Sequence, residues 1–340
     1  MEAVDIVGAG AIGVTVGYAL LSGGIFVRFV ENNPLKVTAG NRHGVRLGQG
    51  PPHPADFLLF EDWQPQPDRW VILCTKCYDN ATVLQRLSPH IPLLPIQNGI
   101  DPLLESFPHD YAGIAAFVAE AEAEEPTARI TRPGPLYLGA RRREQPAAAE
   151  RESTATTQRP VARELVMALR RSRLVPVRWV KDIRPIQATK LWYNAAIAPL
   201  ATIAGMDNAA LLEQPLLRQL FRALLEENYR ILRAAGVPLG WLGPFPPGVV
   251  ARLLRHQTLL NWLSRWFART LRGTYCSMKG EMSRGRTELE YFTGPLLRMA
   301  RQAGIAAPLN HALYDCMQRW TAQRLAPDPR LLEQFLPYAT

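Results

Sequence analysis

The segment Ala3-Val4-Asp5-Ile6-Val7-Gly8-Ala9-Gly10-Ala11-Ile12-Gly13 decides how the first half of this chain reads. Ala3–Val7 is a nearly apolar run of strand length, and the residues from Ala11 to Leu21 predict a helix directly after it. Gly8, Gly10 and Gly13 form a G-x-G-x-x-G pattern at the junction. The first glycine permits a tight turn, the second lets backbone approach a pyrophosphate, and the third lets helix pack close to strand. The helix start at Ala11 and Ile12 then offers N–H groups and the positive end of the helix dipole to phosphates. A second strand, Ile25 to Val30, leads into Glu31, which lies 18 residues after Gly13. A carboxylate there accepts hydrogen bonds from an adenosine ribose and favours NAD, where an arginine would suit the 2′-phosphate of NADP. The bland alternative is a glycine-rich turn followed by a surface glutamate.

Outward from this segment the first half continues to alternate apolar runs with helical patterns, as a parallel α/β sheet does. Strands are expected at Trp70 to Cys74 and Leu93 to Ile96, with a helix over Asn80 to Leu87. Gln97-Asn98-Gly99 is a turn signal. Tyr111 to Ala123, Ala128 to Thr131 and Leu136 to Leu138 read as later strands around an acidic loop, and Arg141 to Pro160 as a surface loop or an exposed helix start. After Pro185 the periodicity turns helical: Ile186 to Gly205, Pro215 to Ala235, Pro247 to Gly273, Thr287 to Gly304 and Asn310 to Leu325. The expected architecture is therefore α/β: an N-terminal Rossmann-type domain over 1–184, followed by an all-helical domain over 185–340.

At 340 residues the chain is long enough for two cores, and 47% hydrophobic with 20% charged residues argues against global disorder. Four scattered cysteines do not make a disulfide scaffold, and Glu2 and Asp5 stand where an export signal would be basic. A cytoplasmic protein is expected. The apolar run Leu191 to Met206 is too short to span a bilayer, so no membrane role is expected. The net charge of +9 comes from residues spread along the chain without a basic, aromatic-bearing helix, which argues for anionic small ligands over nucleic acid.

Lys190 and Asn194 stand four apart and share one helix face. Only five of the 39 basic residues are lysine, and a buried lysine can act as an acid near neutral pH where an arginine cannot. The same pattern also fits a lysine whose head reaches solvent. Ser277 could donate to a substrate carboxylate, and Glu288 could pair with a lysine or simply stabilise a helix N-terminus. Cys74-x-x-Cys77 lacks the second pair of a zinc site, and the six histidines show no metal spacing.

Taken together, these segments resemble the ketopantoate reductase (2-dehydropantoate 2-reductase) family over roughly residues 1–315. The pieces are the glycine pattern, Thr75-Lys76, Ile96-Gln97-Asn98-Gly99, Lys190-Leu191 with Asn194, Ser277-Met278, Arg286-Thr287-Glu288 and the Gly304 to Asn310 tail. The resemblance implies an active site in a cleft between two domains. It also implies reduction of a 2-oxo acid to a 2-hydroxy acid, usually with NADPH, in the route to pantothenate and coenzyme A. Carried over, Lys190 would be the general acid, with Glu288 beside the substrate hydroxyl and the lysine. Asn98 would line the nicotinamide and substrate, Asn194 and Ser277 would hold the substrate, and Lys76 would lie near the adenosine phosphate. Two positions depart from the family. A basic residue usually stands where this chain has Glu31, and a second asparagine where it has Ala198. The cofactor expectation is thus NADP from the resemblance or NAD from Glu31, with no metal. The rival readings are a paralogue acting on another 2-oxo acid or an imine, opine-type, and a non-catalytic dinucleotide sensor. The helical half offers a surface for a homodimer.

Overall fold

The computed structural model describes residues 3–141, 152–256, 264 and 266–339. They form two compact units, one comprising Met1–Gln97 and Pro102–Ile183, the other Asn98–Asp101 and Arg184–Thr340.

The first unit is built on a five-stranded sheet of β1 (Ala3–Val7), β2 (Phe26–Glu31), β4 (Asp56–Leu59), β5 (Trp70–Leu73) and β6 (Leu93–Pro95), in the order β4-β2-β1-β5-β6. All its pairings are parallel. β1 lies at the centre, so Val4, Ile6 and Val7 are buried on both faces, as a near-continuous apolar strand requires. The Ala11–Ser22 helix leaves β1 through the glycine turn. Gly17 on this helix lies where a Cβ would stand 2.3 Å from the Phe29 ring, so helix and sheet meet at glycine distance. Two three-stranded sheets complete the unit. One has β10 (Leu136–Ala140) between β7 (Tyr111–Ala115) and β11 (Val177–Val180); the other has β9 (Thr127–Arg132) between β3 (Arg46–Leu47) and β8 (Val118–Ala121).

The expected continuous strand from Tyr111 to Ala123 is interrupted. β7 pairs with β10 and β8 with β9, and the Ala116 N–H between them bonds the Pro135 carbonyl at 2.8 Å. The Pro34–His43 helix and strands β3, β4 and β11 had no sequence counterpart, because short edge strands and a polar helix carry too few apolar residues for a period. In the stretch from Arg141 to Pro160, residues 142–151 lie outside the described residues, and a helix, Glu152–Ser172, begins just after them.

Asp5 breaks the apolar run of β1, yet it is fully buried. Its carboxylate accepts from Arg28 Nε at 2.9 Å and Nη2 at 2.6 Å, and from Trp63 Nε1 at 2.9 Å. Arg28 is its partner across the β1–β2 ladder.

The second unit is helical. Its centre is the Arg184–Ala204 helix, which packs in one apolar core with the Pro215–Ala234, Leu289–Gln302 and Pro308–Ala322 helices. The helix expected over Pro247 to Gly273 is described as Pro247–Leu254 and a helical stretch over 266–271, with residues 257–263 and 265 outside the described residues. Trp192 is fully buried and donates from Nε1 to the Leu225 carbonyl at 2.8 Å. Buried Glu227 accepts from the N–H groups of Leu309 (3.2 Å) and Asn310 (2.8 Å), capping the Pro308 helix where its dipole favours a negative charge. Asn310 Nδ2 also reaches Asn228 Oδ1 at 2.8 Å, and Asn228 Nδ2 reaches the Trp192 carbonyl at 3.3 Å. Among the described residues no helix is long and apolar enough to cross a membrane.

Removing the Asp5 carboxylate would leave the Arg28 guanidinium and the Trp63 N–H without their buried acceptor. Asp5→Ala is expected to lower unfolding stability by about 3 kcal/mol, read from the urea midpoint. A loss below about 1 kcal/mol would show that the buried pair is dispensable.

Candidate active site

In the first unit the glycine turn is held from three sides. Gly8 has φ +97°, which an L side chain rarely adopts, and its N–H bonds the Val30 carbonyl at 2.9 Å. A Cβ on Gly8 would stand 2.9 Å from the Thr75 nitrogen, and one on Gly13 would stand 2.0 Å from the Gly8 carbonyl oxygen. Both glycines are therefore required by the protein's own packing. Gly10 is different: a Cβ there would meet nothing within 4 Å. Gly10 is the N-cap of the Ala11–Ser22 helix, in extended backbone without a side-chain cap, and the helix has no acidic residue in its first turn. This cradle, with its dipole and open glycine, fits a dinucleotide pyrophosphate.

Glu31 ends β2 and is bonded to backbone through both oxygens. Oε2 accepts from the Ala9 N–H at 3.1 Å, and Oε1 from those of Asn32 (2.8 Å) and Asn33 (3.1 Å). A fixed negative charge thus stands beside the glycine turn. Lys36, which carried no role in the sequence reading, is buried and donates from Nζ to the Ala9 carbonyl at 3.2 Å. On the other side of the turn, Thr75-Lys76 follows β5. Gln97 Nε2 donates to the Thr75 carbonyl at 2.7 Å and to Asn80 Oδ1 at 2.8 Å, which fastens that loop. Lys76 is half-buried at the start of the single turn Cys77–Asp79. Burial pushes the Cys74 thiol far up, so it stays protonated and unreactive at neutral pH.

In the second unit Lys190 and Asn194 project from the central helix one turn apart. Lys190 keeps some exposed surface, yet its ammonium is surrounded closely enough that desolvation pulls its pKa down to about 8. Half-buried Asn194 has no hydrogen-bond partner for its amide among the described residues. Glu288 is buried at the N-terminus of the Leu289–Gln302 helix. Its N–H donates to Glu281 Oε2 at 3.1 Å, and its carbonyl accepts from the Tyr291 N–H at 2.9 Å.

The Asn98 turn is fastened to the same helix. The Ile100 N–H bonds the Tyr291 carbonyl at 2.9 Å, and Gly99, at φ +84°, lies where a Cβ would come within 2.7 Å of that oxygen. Asn98 and Glu288 are thereby brought to one helix start. Ser277 is exposed, next to Cys276, whose Sγ lies 3.3 Å from Thr202 Oγ1 and 3.8 Å from the Ala198 carbonyl. Ser277 is thus tethered to the helix that carries Lys190, two turns beyond Asn194. The Thr202 hydroxyl is engaged by that thiol, and the neighbouring Tyr193 hydroxyl is pushed up to about 12 by burial, its ring stacked on Trp192. Among the described residues no group of three or more His, Cys, Asp or Glu could hold a metal ion.

The ketopantoate reductase PanE/ApbA family profile matches residues 4–143, and the profile of the same family's C-terminal part matches residues 182–320. A 2-dehydropantoate 2-reductase of Archaeoglobus fulgidus is 23% identical over 323 residues, 94% of this chain and 97% of that one. One of Aquifex aeolicus is 21% identical over 139 residues, so the chain aligns with 40% of that relative's length. Among solved structures, a D-mandelate dehydrogenase with NADH and anilino(oxo)acetate superposes with TM-score 0.74 at 20% identity, covering 95% of this chain and 99% of its own, which shows a shared fold.

The glycines separate packing from ligand binding. Gly13→Ala is expected to lower the melting temperature and abolish dinucleotide binding, because its Cβ meets backbone. Gly10→Ala is expected to leave the melting temperature within the range of a surface substitution while weakening NADH binding by about tenfold, measured by fluorescence titration. Equal affinity in Gly10→Ala and wild type would contradict a pyrophosphate at Gly10.

Proposed function

The chain belongs to the ketopantoate reductase family, and from that membership we propose that it reduces a 2-oxo acid to a 2-hydroxy acid with a reduced nicotinamide dinucleotide. The observation that carries the reading is Lys190, a lysine with its pKa brought to about 8 by desolvation, one helical turn from an amide that has no hydrogen-bond partner among the described residues. A general acid works best when its pKa lies near the working pH.

The first unit would hold the dinucleotide through the N–H groups at Gly10, Ala11, Ile12 and Gly13, with Glu31 and Lys76 toward the adenosine end. When bound, the reduced nicotinamide supplies the hydride. The chain's own part is to hold the oxo acid and supply a proton. Asn194 and Ser277 would bind the substrate through hydrogen bonds, and Asn98 would orient it beside the nicotinamide. Lys190 Nζ would give its proton to the carbonyl oxygen as negative charge develops there, a stabilisation that is strong in a desolvated site. Glu288 would hold the emerging hydroxyl and the lysine.

Two features support a departure from the family's usual NADPH and ketopantoate. The Glu31 charge, fixed by three backbone N–H groups, would repel a 2′-phosphate, so NADH is the proposed cofactor. A D-mandelate dehydrogenase of this fold is described with NADH, so the fold accommodates that cofactor. Ala198 offers no side-chain hydrogen bond one turn beyond Asn194, and the nearby Thr202 hydroxyl is taken by Cys276. A second 2-oxo acid with an apolar side chain is therefore a credible substrate beside ketopantoate, since an apolar site tolerates the loss of a hydroxyl.

The deciding assay is kcat/KM for ketopantoate and 2-oxoisovalerate, each with NADH and NADPH. The expected outcome is a preference for NADH and less than about 10³-fold selection for ketopantoate. A preference for NADPH above about tenfold would refute the Glu31 argument, and turnover of no 2-oxo acid would refute the reaction.

The Lys190 role has its own signature. The protonated form dominates below its pKa, so the reduction rate should be level at lower pH and fall about tenfold per unit above about 8. Lys190→Ala should reduce kcat by about 10²–10⁴-fold and lose that dependence while dinucleotide affinity stays near wild type. A variant retaining more than about a tenth of wild-type turnover would exclude Lys190 as the acid.

A further inference from the structure

Lys36 is a buried cation that the reaction scheme above does not use. It lies on the Pro34–His43 helix, 6% exposed, with its ammonium 3.2 Å from the Ala9 carbonyl oxygen. Burying an ammonium is costly, and an apolar side chain would fill the same space without that cost. What opposes the cost is one hydrogen bond to the dinucleotide turn and attraction to two carboxylates: desolvation lowers the Lys36 pKa, while Glu31 and Glu122 raise it.

The two peptide units that flank Ala9 are thus held by opposite charges. Glu31 Oε2 takes the Ala9 N–H at 3.1 Å, and Lys36 Nζ takes the Ala9 carbonyl. In a trans peptide the carbonyl and the following N–H point in opposite directions. Drawing the Ala9 carbonyl toward Lys36 therefore turns the Gly10 N–H away from it. Gly10 is the residue at which a Cβ would meet nothing within 4 Å, so the turn is open beside it, where an anion can approach.

We propose that Lys36 is a positioning residue for the dinucleotide: by holding the Ala9 carbonyl inward it presents the Gly10 N–H, and the helix start behind it, to the pyrophosphate. The proposal rests on the dinucleotide-binding reading above. Lys36 itself does not touch the cofactor; it fixes the peptide that does. Preorganisation of this kind acts on affinity, since a turn already held in its binding conformation loses less freedom when the ligand arrives.

The test titrates the wild-type chain, Lys36→Met and Lys36→Gln with NADH, following nicotinamide fluorescence without substrate, and then measures the oxo-acid KM at saturating NADH. Lys36→Met is expected to raise the NADH Kd by at least about tenfold, and Lys36→Gln, which keeps an uncharged donor, by clearly less. The oxo-acid KM should stay within about twofold in both, an outcome that general loss of structure would not give. Should Lys36→Met fail to fold by circular dichroism, Lys36→Gln carries the measurement, with a Kd raised above twofold as its expected result. An NADH Kd within about twofold of wild type in the folded variants overturns the proposal, as does equal weakening in Met and Gln, which would assign the effect to charge alone. A wild-type chain that binds neither NADH nor NADPH defeats the dinucleotide reading, and this proposal with it; normal wild-type binding with an unaffected Lys36→Met defeats the proposal only.

Discussion

The contact on which the first unit depends is the approach of backbone to backbone at the C-terminal end of β1. Gly8 lies against the nitrogen of Thr75, and Gly13 against the carbonyl of Gly8, at separations that leave no room for a Cβ. The approach is possible because β1 is paired on both sides, so the strand ends on either flank are already in register when the chain turns. With the turn so tight, the Ala11–Ser22 helix starts directly over the strand end and leaves its first N–H groups facing outward. Charged side chains then hold the turn from beneath: Glu31 on one peptide, Lys36 on the next.

In the second unit a comparable role falls to Trp192. It sits between Lys190 and Asn194, is bonded to Leu225 through its indole and to Asn228 through its carbonyl, stacks on Tyr193 and packs against the tilted ring of Tyr229. A helix held at its middle cannot rotate about its axis, so the face bearing Lys190 and Asn194 has one orientation. Glu227 and Asn310 continue the polar chain to the start of the Pro308 helix, and every bond in it is buried. Such a network is costly to disrupt in part, because each deletion strands a desolvated partner.

The chemistry follows from the same burial. A lysine in water is an ammonium to well above neutral pH and gives up its proton reluctantly. Enclosure of Lys190 brings that proton within reach of neutral conditions without any neighbouring positive charge being needed. Packing that orients the side chain also sets its acidity, so the two properties cannot be altered independently.

Sequence alone determined the α/β order of the first half, the place of the glycine turn after β1 and the helical character of the second half, because these depend on local period and on glycines whose spacing has few other uses. It also singled out Lys190 and Asn194, since polar residues in an apolar helical stretch are conspicuous, and Glu288 as a carboxylate at a helix start after a glycine-containing turn. Tertiary structure alone decided that the Asn98 turn is tied to Tyr291, that Cys276 occupies the Thr202 hydroxyl, and that Lys36 reaches the Ala9 carbonyl. The bonded partners in these contacts lie from 27 to 191 residues apart. Nothing in the local pattern of Pro34–His43, a polar helix with a single buried charge, distinguishes Lys36 from a solvated lysine. Burial and partner come only from what the fold brings above a residue, and a one-dimensional period carries no information about that third direction.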